Sequence, residues 1–249
     1  MDFHQPVSSG THLFMAAWAL FATMMIVRLS SGQPRVVKWS VCAFGLSMVL
    51  LYLASGFYHG LRYLSEEDRQ FWLRMDRSAI FLLILGSMLP IYAAFLTGRL
   101  QFLSMSVMIT IALTGIIVQW TGNVSQLTAI LSYVGMAAVG SLTIPWWANQ
   151  VGREGMRWFG TAIGLYGLGA LIEGVKWPVP VPGYVGHHEL LHVCDMFGTL
   201  VHFGFVTRFV LKPAPIAAKS AAESYDGRIE SIPYGPSECL PAATTSAIT

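Results

Sequence analysis

Charge is scarce in this chain. Thirteen acidic and 15 basic residues make up 11% of 249 positions, where soluble domains carry about 25%, and this excludes an ordinary water-soluble fold. Cysteine is scarce too. Cys42, Cys194 and Cys239 stand apart with no C-x-x-C spacing, which excludes a disulfide framework and a thiolate zinc site. The net charge is only +2 and no basic patch forms, so nucleic-acid binding is not expected. Met1 to His4 contains no Lys or Arg, and no small-residue cleavage site follows the first apolar stretch. That pattern favours a retained first helix over a cleaved signal peptide.

Long apolar runs are what the chain has. A spanning helix needs roughly 20 apolar residues, and seven stretches qualify, at about 11–29, 37–61, 76–97, 101–120, 126–148, 157–177 and 185–211. Pro178, Pro180, Pro182 and Gly183 separate the last two, since this composition cannot continue a helix. The expected architecture is therefore an all-α membrane protein, a seven-transmembrane-helix bundle over residues 1–212. A tail at 213–249, rich in Ala, Pro, Ser and Thr, reads as disordered. Trp146, Trp147, Trp158 and Trp177 fall at span ends, where an aromatic belt is the ordinary explanation.

The polar residues inside these spans carry the functional signal, because ionisable groups are costly within a bilayer. With seven spans, His12 starts span 1, His59 ends span 2, Asp76 starts span 3, and His188 and His192 start span 7. All of them fall at one membrane face, an agreement not expected of scattered structural histidines. On span 7, His188, His192, Asp195, Thr199 and His202 follow helical spacing and form one polar stripe. Tyr52, Ser55 and His59 form a similar row on span 2, and Asp76, Ile80, Leu83, Ser87 and Pro90 another on span 3. His202 is about 15 Å along the axis from His192, too far to share an ion with it.

Two histidines four apart lie about 6 Å from each other at Cβ and can share one metal ion. His188-Glu189-x-x-His192 also matches the zinc-protease helix, in which the glutamate is the general base. The usual third ligand is missing, however, since Asp195 and Gly198 stand where glycine and histidine are required. Glu189 is turned about 100° from His188 and reads equally as an interfacial acid. Taken singly, His59 reads as an interhelical hydrogen-bonding residue and Asp76 as a helix start paired with Arg77. Taken together, three histidines with an adjacent carboxylate match an open zinc geometry. His12 is read as interfacial or supporting, Cys194 as a packing residue, and His4 and His187 as facing solvent or headgroups. Glu173 and Lys176 are read as an ion pair on the opposite membrane face.

Phe44 to Gly60, with Ser55 and His59, and Met75 to Ser87, with Asp76, resemble the second and third helices of the hemolysin III family. Tyr184 to His192, followed by Gly198 to Phe203, resembles its seventh helix. The resemblance runs from about Ser9 to Leu211. It implies kinship with the progestin and adiponectin receptors, which in turn resemble alkaline ceramidases and are thought to be zinc-dependent amide hydrolases. On that footing His59, His188 and His192 are expected as zinc ligands, with Ser55 and Asp76 beside the reacting water as the catalytic pair. Arg77 and Asp195 depart from the family pattern.

The expected function is thus metal-dependent hydrolysis of a lipid amide or ester, with membrane lipids as partners, in a multi-pass protein of the bacterial plasma membrane. A receptor-like or membrane-homeostasis protein with structural zinc, or a cytolysin, are the alternatives. Lysine and arginine counts put the face opposite the histidines in the cytoplasm, whereas the resemblance implies the reverse orientation.

Overall fold

A computed structural model describes residues 5–211, apart from Leu64 and Gly183. The expected tail, and with it Cys239 and His4, lies outside the described residues. Seven helices follow one another: α1 (Pro6–Leu29), α2 (Arg35–Gly60), α3 (Glu66–Phe95), α4 (Gly98–Thr121), α5 (Gln126–Ser141), α6 (Ile144–Val175) and α7 (His187–Phe205), the last closing in a π-helical turn at Val206–Val210. Six of these helices are long and apolar enough to cross a membrane; α5 is apolar but shorter. The protein is an all-α membrane bundle, as its apolar runs require.

Local chemistry sets the boundaries. Ser65 caps α3 by accepting the Asp68 N–H at 3.1 Å, and Ser125 caps α5 by accepting the Thr128 N–H at 3.1 Å; each satisfies one of the four unpaired donors of a helix start. The expected fifth and sixth spans need correction. The chain breaks at Leu142–Thr143, well before residue 148, and the stretch expected as a loop is helical. Pro145 stands in the first turn of α6, where its missing N–H does no harm. The interruption falls instead at Gly152, whose φ of 65° belongs to the left-handed region that glycine enters without strain. α6 is accordingly two helical segments joined at that residue.

Packing is uneven. α1, α2 and α3 form one closely packed set and α6 with α7 another, whereas α3 meets α6 sparsely. α4 and much of α6 present apolar side chains outward, including Phe102, Leu103, Leu168 and Leu171, as helices facing lipid do. The core contains Phe44, Met48, Tyr52, Phe81 and Ile91. Trp147 also belongs to it and is no belt anchor: it is fully buried, donates from Nε1 to Thr143 Oγ1 at 3.1 Å and packs edge-on against Phe159. Trp146 and Trp177 are exposed as expected, at 58% and 71%. Cys42 and Cys194 are free thiols.

Candidate metal centre

Backbone register brings four helix ends to one place. The Gln5 N–H donates to the His59 carbonyl at 3.1 Å, and Ser9 Oγ donates to the Gly56 carbonyl at 2.9 Å. These bonds fix the start of α1 against the end of α2. At the start of α7, Glu189 Oε2 accepts the Gly186 N–H at 2.8 Å and Oε1 accepts from Ser8 Oγ at 3.0 Å. Both oxygens of Glu189 are thus occupied in holding the helix end to α1. Glu189→Ala is expected to cost about 0.5–2 kcal/mol of stability, as lost helix caps do, and to leave metal content unchanged. Loss of turnover in a variant that keeps its metal would make Glu189 a catalytic base after all.

Among the described residues one group can hold a metal ion: His59, His188 and His192, whose ligand atoms all lie within 4.8 Å of one another. His59 and His192 are buried, at 3% and 6% exposure, and His188 is half-buried. The tautomers follow from the partners. His59 Nδ1 is bonded to Gln5 Oε1, an oxygen that can only accept, so Nδ1 carries the hydrogen. His188 Nδ1 lies 3.2 Å from Glu173 Oε1, which again places the hydrogen on Nδ1. Both Nε2 atoms therefore present lone pairs, and they face each other at 3.3 Å. Facing lone pairs repel unless a cation, a proton or a metal, stands between them. Two ligands about 2.0–2.1 Å from a tetrahedral zinc are themselves about 3.3–3.4 Å apart, so the observed separation fits a shared ion. His192 Nδ1 is buried without a partner, and a ligand nitrogen of this ring lies within 4.8 Å of those of the other two.

Around the triad lie further polar groups. Asp76 lies close to Ser55 and acts electrostatically on His188. His12 is 3% exposed, and its ring lies against that of His192 with centroids 4.0 Å apart. Deeper in the bundle, Thr199 Oγ1 accepts from Tyr52 at 2.8 Å and pairs with Tyr166 at 3.0 Å. A Cβ at Gly198 would come within 2.9 Å of the Tyr166 ring, so glycine there is what lets α6 approach α7. Asp195 acts electrostatically on both tyrosines and is itself acted on by Asp76. Last on the stripe, His202 Nε2 meets the Ser87 carbonyl at 3.0 Å among Phe44, Phe159 and Phe205.

The sequence-expected residues His59, His188, His192, Ser55 and Asp76 are thus brought together at one end of the bundle. Arg77 is not: its Nη1 donates to the Val124 carbonyl at 2.8 Å, away from the histidines. The largest correction concerns Glu173. It is 3% exposed and pairs with His188 and, through Oε2, with His187 Nδ1 at 2.8 Å; Gln126 Nε2 also donates to Oε1. Glu173 is therefore at the histidine face and not on the opposite one, and His187 is engaged with it instead of turned to headgroups. The even number of span crossings before the end of α6 already placed Glu173 on this side. Gln5 and Gln126 gave no comparable signal, since a lone glutamine beside a helix start is unremarkable.

A seven-helix membrane bundle with a three-histidine centre at one end defines the class of protein. The sequence profile of the haemolysin-III related family matches residues 2–203, and the chain belongs to that family. It is 36% identical over 111 residues to Hemolysin-3 of Bacillus cereus, an alignment covering 45% of this chain and 49% of that one. Hemolysin-3 homolog of Bacillus subtilis (strain 168) is likewise 36% identical over 111 residues, covering 45% of this chain and 50% of the relative. The chain spans about half the length of the curated relatives it matches.

Proposed function

We propose that the protein is a zinc-dependent hydrolase of a long-chain lipid amide or ester, working in a bacterial plasma membrane. The observation that carries this reading is the pair of facing Nε2 lone pairs on His59 and His188, 3.3 Å apart, with the buried His192 beside them. Three neutral imidazoles without thiolate suit zinc and leave a fourth position open, as catalytic zinc sites do. When bound there, zinc supplies Lewis acidity, bringing water's pKa from 15.7 down to about 7 and polarising a carbonyl.

The chain's own residues would do the rest. Ser55 stands beside the Asp76 carboxylate, and that carboxylate takes a proton from the attacking water. The same proton then passes to the departing amine or alkoxide, so that water adds across the acyl bond to give a fatty acid and a free headgroup. Asp76 and Asp195 are only half-buried, and α3 approaches α6 sparsely.

The names of the relatives, Hemolysin-3 and its homolog, suggest lysis as a second reading. Against a pore stands the packing below His202, where Phe44, Phe159, Phe205 and then Trp147 fill the bundle. The test is fatty-acid release from N-acyl amides and carboxylic esters by metal-loaded protein in proteoliposomes. Release that stops on chelation and resumes with added zinc is expected. Zinc-loaded protein that releases no fatty acid from either class, or that gives single-channel currents in planar bilayers, would sink the hydrolase.

A further inference from the structure

A buried carboxylate on α6 stands behind the site, outside the residues that the proposed chemistry uses. Glu173 Oε1 lies 3.2 Å from His188 Nδ1, and Gln126 Nε2 donates to the same oxygen. Oε2 lies 2.8 Å from His187 Nδ1. The side chain is 3% exposed, and no Lys or Arg pairs with it among the described contacts. An ionised carboxylate so placed is costly unless charge of the opposite sign lies near. His188 connects it to the point where the two Nε2 atoms meet.

From this geometry we infer that Glu173 is the positioning residue of the metal centre. It holds the hydrogen of His188 on Nδ1, so that Nε2 keeps its lone pair toward the ion, and its negative charge makes that nitrogen a stronger donor. Gln5 does the same for His59 with a neutral oxygen. Carboxylates that accept from a ligating imidazole typically change metal affinity by about 10–100-fold. Gln126, donating to Oε1, leaves that oxygen fewer directions in which to turn and so fixes its aim at His188.

This inference rests on the metal reading, and the experiment separates the two. Cobalt(II) is titrated into detergent-purified, metal-stripped full-length protein, following the ligand-field absorption and the dissociation constant. Wild type is compared with Glu173→Gln, Gln5→Ala and His187→Ala, with thermal unfolding of each metal-free variant measured alongside. Glu173→Gln is expected to weaken cobalt by about 10–100-fold and to shift the absorption, with unfolding unchanged. Gln5→Ala is expected to weaken it less. His187→Ala removes the other bond of the same carboxylate and is expected to stay within about threefold of wild type.

If Glu173 only clamps α6 to α7, His187→Ala and Glu173→Gln will lower the unfolding temperature alike and leave the cobalt spectrum as it was, which overturns the inference while the metal site stands. A wild type that binds no cobalt, in a preparation that unfolds cooperatively, overturns the metal reading and this inference together.

Discussion

His59→Ala, His188→Ala and His192→Ala are each expected to bring purified protein from about one zinc per chain to below about a tenth, because a three-imidazole site has no spare ligand. The three replacements differ in what else they disturb. His59 is tied to Gln5 and His188 to Glu173, so alanine there also removes a hydrogen bond, which costs about 0.5–1.5 kcal/mol beyond the lost ligand. His192 makes no such bond through Nδ1. Its removal is the cleanest of the three and is expected to leave metal-free stability closest to wild type. Metal analysis of protein purified without chelators, together with thermal unfolding, checks both statements. Undiminished zinc in the His192 variant would place the ion elsewhere. No zinc in a folded wild type would leave the facing nitrogens to share a proton.

Much of this site is legible in the sequence, and the reason is physical. A bilayer makes polar residues expensive, so the few that persist inside spans are informative, and the count of crossings assigns each to a face. His12, His59, Asp76, His188 and His192 agreed on one face, and they do meet there. The stripe on α7 was equally readable, since helical periodicity alone puts His192, Thr199 and His202 on the buried side. What failed was the reading of single residues against a default. Glu173 three residues before Lys176 looks like a helix-end ion pair, but Lys176 is exposed with a left-handed φ of 55°, while the glutamate turns inward to two histidines on another helix. Trp147 beside Trp146 looks like an interfacial pair, but a break at Leu142–Thr143 turns it into the core. The first error involves a contact between helices distant in sequence; the second comes from passing over Pro145, whose place in a first helical turn marks the new start. Only the first is absent from the sequence pattern.

Asp76→Asn is expected to lower fatty-acid release by about 10²–10⁴-fold, the usual worth of a positioned proton acceptor, while zinc stays near one per chain. Asparagine keeps the size of the side chain and an oxygen that can accept from Ser55, so the change removes the proton-accepting charge and little else. Asp195 is the rival. It lies on the face of α7 that carries His192, close enough to Asp76 for the two to act on each other electrostatically. Its other partners, however, are Tyr52 and Tyr166, which converge on Thr199 deeper in the bundle, whereas Asp76 is the carboxylate that acts on His188. Asp195→Asn should therefore cost less than Asp76→Asn in release by metal-loaded protein. A reversed order, with Asp195→Asn the slower single variant and Asp76→Asn near wild type, would transfer the proton-accepting role to α7 and leave Asp76 with Ser55 as a structural pair.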